Sequence, residues 1–185
     1  WWQYKYDVND DGNFDGPEDI TTSTEMVIPA GRPIQVTTTS NDVIHSFWIP
    51  GLNGKRDAVP GLRNPLKLQA DEPGVFRGQC TEFCGLSHAN MRMLVRAVST
   101  SDYDGWVRNQ LKDHAADPTD PVAAEGKKVW LSLCAQCHVI NGINDAKMKE
   151  TPPPLVSGVA PNLTHLMTRG TFVGSIFNLY EPVSS

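Results

Sequence analysis

All four cysteines of this chain fall in two clusters, each with a histidine at a spacing that metals use. Cys80, Cys84, His88 and Met91 read C-x-x-x-C-x-x-x-H-x-x-M, and Cys134, Cys137 and His138 read C-x-x-C-H. Thiolate, imidazole and thioether are the soft donors of one-electron copper sites. C-x-x-C-H is the signal at which two thiols add across haem vinyl groups while the adjacent imidazole becomes an axial iron ligand. One copper centre and one haem in a single chain imply electron carriage rather than bond-breaking.

Cys80, His88 and Met91 alone would describe a mononuclear blue-copper loop. Cys84 changes that reading, because two thiolates four residues apart in a tight loop can each bridge the same two metals. Sharing the electron between two coppers spreads the charge change, so little rearrangement accompanies transfer. A second imidazole must come from elsewhere, and His45, at the end of Asp42-Val43-Ile44, is the natural candidate.

The elements that must carry these groups change character along the chain. Met26–Ile28, Ile34–Thr38 and Leu66–Ala70 are short β-rich or alternating runs, and Pro and Gly punctuate residues 1–100 throughout. Such strands predict a sandwich or barrel. Over 101–116, a capping box from Ser101 to Asp104 and the helical spacing of Trp106, Val107, Gln110 and Leu111 predict a helix. Residues 117–121 end that helix as a linker. From Pro121 onward Gly126, Val129, Trp130 and Leu133 form an apolar stripe running into C-x-x-C-H, which predicts α structure. The organisation expected is therefore 1–100 as a β domain, 101–120 as helix and linker, and 121–185 as a small all-α domain.

Composition narrows the function classes. With 39% hydrophobic and 20% charged residues, the chain of 185 residues is ordinary for a globular protein. A net charge of −5 gives no basic face for nucleic acid, and suits a basic protein partner instead. No apolar run approaches the roughly 20 residues needed to span a bilayer, and the opening residues are not expected to act as a signal peptide. The chain opens on Trp1-Trp2 without an initiator Met, and is expected to be a truncated or processed fragment. Two disulfides are the alternative use of four cysteines, but both pairs have metal-ligand companions. Haem thioethers are made outside the cytoplasm in bacteria, so an exported domain is expected.

Asp7, Asn9, Asp11, Asn13, Asp15 and Glu18 match the D-x-N-x-D-G pattern of a calcium loop with an acid at its last position. It lies between expected strands rather than helices, so an acidic turn is the competing reading. His114 and His165 are expected in solvated or capping roles, and Asp42 and Asp57 as surface charge or a docking face for a basic donor.

The first hundred residues resemble the CuA domain of subunit II of haem–copper cytochrome c oxidases. The matching pieces are Trp1–Tyr6, Ser40–Phe47, Lys55–Gly61 and Gly78–Met91. That resemblance implies a cupredoxin-like sandwich in which Cys80 and Cys84 bridge two coppers. It gives His45 and Met91 to one copper, and His88 and the backbone carbonyl of Glu82 to the other. It further implies that the Glu82 side chain reaches a Mg²⁺ at the contact with subunit I, and that Trp1 or Trp2 is where electrons enter. The stripe ending in Trp130, together with Ala160-Pro161-Asn162-Leu163, resembles class I cytochrome c. There the proline carbonyl holds the second nitrogen of the ligand histidine, a role that falls to Pro161. The sixth iron ligand of that family is a later Met. Met148 lies too near Cys137, Met167 follows the proline motif too soon, and a residue beyond Ser185 is expected.

The resulting expectation is an oxidase subunit II with a C-terminally fused cytochrome c domain, at the outer face of a bacterial membrane and anchored by segments outside this fragment. Electrons would pass from cytochrome c or another donor to haem c, then to the dinuclear copper, then to haem a in subunit I, where oxygen is reduced. Its partners are subunit I and other oxidase subunits. Two alternatives are the CuA domain of a nitrous oxide reductase, whose histidine-rich catalytic domain is absent here, and a free periplasmic electron shuttle or copper-handling protein. A quinol oxidase subunit shares the fold but lacks the copper ligands.

Overall fold

The computed structural model describes residues 1–14, 16, 18–113, 117–145 and 160–180. The sequence readings that involve Asp15, His114, Met148 and the proline run 152–154 lie outside these residues. The chain forms two compact units. One comprises Trp1–Tyr4, Ser23–Val107 and the described residues from Arg169; the other comprises Lys5–Thr22 and Arg108–Thr168.

The first unit is mainly β. Strands β1 (Gln3–Tyr6) and β2 (Ile20–Ser23), which pair, fall partly in the second unit's Lys5–Thr22. Then come β3 (Glu25–Pro29), β4 (Ile34–Thr38), β5 (His45–Phe47), β6 (Arg56–Ala58), β7 (Asn64–Leu68), β8 (Gly74–Gln79) and β9 (Arg92–Val98). β9 is the centre of a three-stranded sheet, parallel to β3 and antiparallel to β8. β4 pairs antiparallel with β7, and β5 with β6. The reason for these strands is visible in burial. β3 is buried at every position, and β7 and β8 alternate in the period-2 manner of half-covered strands. Ile28, Ile49, Leu68, Met93 and Val95 are the largest side chains fully withdrawn from water and form the core.

Helix α1 spans Thr100–Gln110. Its cap differs from the expected Ser101–Asp104 box. The Ser99 hydroxyl accepts the Asp102 backbone N–H at 3.2 Å and donates to the Asp102 carboxylate at 2.7 Å. The box begins two residues earlier because Ser99, directly after β9, is the last residue still outside the helix.

In the second unit the loop between β1 and β2 is knotted by its own side chains. The Asp7 carboxylate accepts the Asp11 and Gly12 N–H groups, and the Asn9 amide donates to Asp11 and Glu18. Helix α2 (Pro121–Val129) starts with Pro at its first position and Asp120 as cap, whose carboxylate accepts the Ala123 N–H at 2.9 Å. It runs into a π-type turn over Trp130–Cys134. Among the described residues of 121–185, α2 is the one α-helix, and a short antiparallel hairpin of β10 (Thr171–Phe172) and β11 (Phe177–Asn178) follows. The all-α character expected of this stretch therefore extends, among described residues, only to α2.

Candidate metal centre

The connection between β8 and β9 carries most of the donors. The strands are in register up to Gln79 opposite Arg92, and the loop closes when the Cys80 N–H donates to the Met91 carbonyl at 2.9 Å. The base of this loop also lies along the chain around β5. Gln79 N–H donates to the Trp48 carbonyl at 3.2 Å, and Thr81 N–H donates to the Ser46 carbonyl at 3.1 Å. That seam places His45 beside Cys80. It demands Gly78, because a Cβ there would stand 2.1 Å from the Trp48 carbonyl oxygen and 2.5 Å from Ile49 Cδ1.

The donor atoms converge. Cys80 Sγ lies 3.8 Å from Cys84 Sγ, 3.9 Å from His45 Nδ1 and 3.2 Å from the Glu82 carbonyl oxygen. Cys84 Sγ lies 3.5 Å from His88 Nδ1 and 3.7 Å from Met91 Sδ. Donors held by one tetrahedral first-row metal at about 2.0–2.3 Å sit roughly 3.3–3.8 Å apart. The contacts run from 3.2 to 3.9 Å, so the set fits soft metal with little movement. The two thiols, each contacting its own group of further donors, fit a pair of metals better than one. Among the described residues, His45, Cys80 and Cys84 are the one group of three or more histidine, cysteine or acid ligand atoms within 4.8 Å of one another. Asp7, Asp11 and Glu18 do not form such a group.

Electrostatics support the same assignment. Cys80 is fully buried, and His45 and Met91 are nearly so. Burial, then the hydrogen bond with Cys80, pushes the metal-free Cys84 thiol up to about 11. A soft cation that binds Cys84 must displace that proton. His45 Nε2 lies 2.8 Å from Asp42 Oδ1, which fixes the ring with Nδ1 toward the thiols. This hydrogen bond is the chief cause that holds the Asp42 carboxyl below its ordinary range. From sequence alone Asp42 reads as surface charge or a docking face; its place three residues before His45 is the available signal.

The neighbouring aromatics divide. Trp2 packs edge-on against His45 and Phe47, with centroids at 6.0 and 5.5 Å, whereas Trp1 is exposed. Phe83 sits edge-on to His88 at 5.7 Å yet stays 76% exposed, and Leu86 is wholly exposed. The Glu82 side chain is exposed as well.

The second cluster lies in the second unit. All four cysteines of the chain are free thiols, so the disulfide alternative is not realised. The π-type turn delivers Cys134, its carbonyl accepts the His138 N–H at 3.0 Å, and Cys137 is exposed. His138 Nδ1 lies 2.7 Å from the Pro161 carbonyl oxygen, which leaves Nε2 as the nitrogen available to a metal. Asn144, buried, accepts the Ile140 N–H and donates to the Ala135 and His138 carbonyls. Sequence reading passed over this asparagine. Met167 is 66% exposed, and His165 Nε2 lies 2.9 Å from the Lys112 carbonyl, a capping contact.

A family model for the periplasmic domain of cytochrome c oxidase subunit II matches residues 1–98. Cytochrome c oxidase subunit 2 of Alkalihalophilus pseudofirmus is 38% identical over 147 residues, covering 79% of this chain and 40% of that protein. The subunit 2 of Bacillus sp. strain PS3 is 32% identical over 180 residues, covering 94% of this chain and 46% of that protein. This chain thus spans less than half the length of either relative. The crystal structure of the periplasmic domain of subunit II of cytochrome oxidase of Bradyrhizobium japonicum aligns with a TM-score of 0.52 at 33% identity, covering 60% of this chain and 85% of that one. No described helix is long and apolar enough to cross a membrane. With 98 of its 185 residues matched, and with the thiol, imidazole and thioether donors of its β8–β9 loop gathered in one place, the chain belongs to the family of the cytochrome c oxidase subunit II periplasmic domain.

Proposed function

We propose that this chain is the electron-relay portion of subunit II of a haem–copper cytochrome c oxidase, taking electrons from a redox donor and delivering them to subunit I, where oxygen is reduced to water. The observation that carries this reading is the convergence of Cys80, Cys84, His45, His88, Met91 and the Glu82 carbonyl within a domain matched by that family. When bound, a dinuclear copper and a haem c each supply reversible one-electron chemistry at near-constant geometry.

The chain's own residues do the rest. Cys80 and Cys84 would hold the copper through their sulfurs as thiolates. Asp42 orients His45. The buried Met91 and the strand seam at Gly78 exclude water and keep the donors in place, so little has to move when the charge changes. Phe83 and Leu86, apolar and exposed beside His88, fit a surface covered by another subunit. Subunit I and other oxidase subunits are the partners proposed, and Glu82, on the same loop, is the proposed Mg²⁺ ligand there. Trp2, packed on His45, is better placed than Trp1 to pass electrons inward.

For residues 121–185 we propose a fused cytochrome c segment, of which the described residues from Arg169 belong to the mainly-β unit. Cys134 and Cys137 would hold the haem by thioethers, His138 would bind its iron, and Pro161 would orient His138. The alignment with the Bacillus subunit 2 continues well beyond residue 98, which supports a continuous subunit of this kind. Met167, exposed, is a poor further ligand for the iron. The subunit would sit at the outer face of a bacterial membrane, anchored by segments outside this sequence. The loop of Asp7, Asn9, Asp11, Asn13, Asp15 and Glu18 is proposed as a surface calcium loop, tested by a calcium-dependent rise in melting temperature that magnesium does not reproduce.

The deciding experiment is the visible and near-infrared spectrum of the full-length protein purified with its native neighbours, oxidised and reduced. A near-infrared mixed-valence band together with sharp reduced haem c bands is expected. Haem bands without the near-infrared feature would sink the dinuclear site, and the reverse would sink the haem domain.

A further inference from the structure

Glu25, at the first position of β3, is 4% exposed, yet its partners come from far along the chain. Its Oε1 accepts the Gly170 N–H at 2.8 Å, the Thr171 N–H at 2.6 Å and the Thr171 hydroxyl at 2.9 Å. Its Oε2 faces Arg96 Nη1 at 3.6 Å. Next to it, Arg169 donates from Nη1 to the Ser23 hydroxyl at 3.0 Å. Three donors on one buried carboxylate oxygen are charge-assisted bonds, the strong kind. They anchor the start of the β10–β11 hairpin within the mainly-β unit.

The turn of that hairpin is strained. Val173, Gly174 and Ser175 have φ of 51°, 63° and 61°, a run of left-handed residues that includes a β-branched one. Ser175 donates to the carbonyl of Thr24, itself at φ 73°. Strain of this kind persists only where the surroundings dictate it. Here the surroundings include the copper-ligand loop. A Cβ on Gly174 would stand 2.6 Å from the Asn90 carbonyl oxygen, and Arg92 N lies 3.8 Å from the same point. Asn90 and Arg92 flank Met91. In that short segment the Met91 N–H donates to the His88 carbonyl, and the Met91 carbonyl closes the loop on Cys80.

We infer that the β10–β11 hairpin is a positioning element for the metal-ligand loop, with Glu25 as its anchor and Gly174 as its point of contact behind Met91. This rests on the copper reading proposed above. The hairpin turn abuts the backbone on both sides of Met91, so the segment is held both there and by its hydrogen bond to Cys80 before metal arrives. Pre-set donors lose less freedom on binding.

Native-state amide exchange of the full-length copper-free protein tests the coupling without any substitution. The amides of Asn90 and Met91 should open together with those of Thr171 and Ile176. A hairpin that opens while Asn90 and Met91 stay protected overturns the inference. Gly174→Ala and Glu25→Gln carry it to the metal. Each should speed exchange at Asn90 and Met91 about tenfold or more, weaken copper retention against a chelator by a similar factor, and perturb the near-infrared band. A folded variant with unchanged exchange and an unchanged band overturns it. A wild-type protein that shows coupled exchange but takes up no copper pair would instead refute the copper reading.

Discussion

His45 presents its two ring nitrogens to two different groups, Nε2 at 2.8 Å from Asp42 Oδ1 and Nδ1 at 3.9 Å from Cys80 Sγ. The Asp42 side chain is largely exposed and the imidazole is buried. A surface carboxylate thus fixes the tautomer and rotation of an interior donor. Removing such a partner typically costs 10–100-fold in metal affinity. Asp42→Ala is therefore expected to release copper to a competing chelator roughly 10–100-fold more readily. Unchanged retention would show that β5 alone orients the ring.

Gly78 admits no side chain. Its substitution by Ala pushes a methyl group into the Trp48 carbonyl and Ile49, and the seam that holds Gln79 and Thr81 against residues 46–48 must part. Overpacking of this kind costs roughly 1–3 kcal/mol, and backbone leaves less room to adjust than a side chain does. The expected result is a fall of that size in denaturant-derived stability, together with a weakened copper band, because His45 and Cys80 are joined through this seam.

Tyr4 is buried, and its hydroxyl has no hydrogen-bond partner among the described residues. Burial first, and the Glu25 charge second, raise its ionisation far above the ordinary range. The folded protein therefore keeps this proton while the unfolded chain loses it near pH 10. Stability from the neutral phenol is full below that pH and is lost as pH climbs above it. Tyr4→Phe should stabilise the protein at pH 7 by about 1 kcal/mol, since an unsatisfied hydroxyl disappears, and should reduce the alkaline loss. Thermal melts at pH 7 and pH 10.5 measure both, and a variant no more stable than the parent at either pH would contradict the argument.

Asn144 holds three backbone groups around the C-x-x-C-H turn, one N–H and two carbonyls. Asn144→Ala leaves them without that partner in a buried place, at about 1–3 kcal/mol. Protease susceptibility between Cys134 and Asp145 should rise accordingly. If the substitution leaves cleavage there unchanged, Asn144 is not what shapes the turn.

The two cysteine–histidine motifs are legible from sequence because metal chemistry constrains residue type and short spacing together. Cys80, Cys84, His88 and Met91 lie in one loop, so their convergence needed only a loop that closes. Strands Met26–Ile28 and Ile34–Thr38 were equally legible, since burial on a pleated sheet imposes period two or a continuous apolar run. The helix after residue 99 is legible too, but its cap lies two residues before the one the spacing indicates, because which serine stays outside the helix depends on where β9 ends. Three relations needed the fold, the first local in sequence and the other two long-range. Asp42 reads as surface charge until His45 turns its Nε2 toward it. Gly78 reads as one punctuating glycine among many until Trp48 passes beneath it. Glu25 reads as an ordinary acid until Gly170 and Thr171 donate to it across 145 and 146 residues. Sequence determined which atoms could bind metal. The fold decided which of them meet, because long-range contacts follow from how strands pack and leave no mark in local spacing.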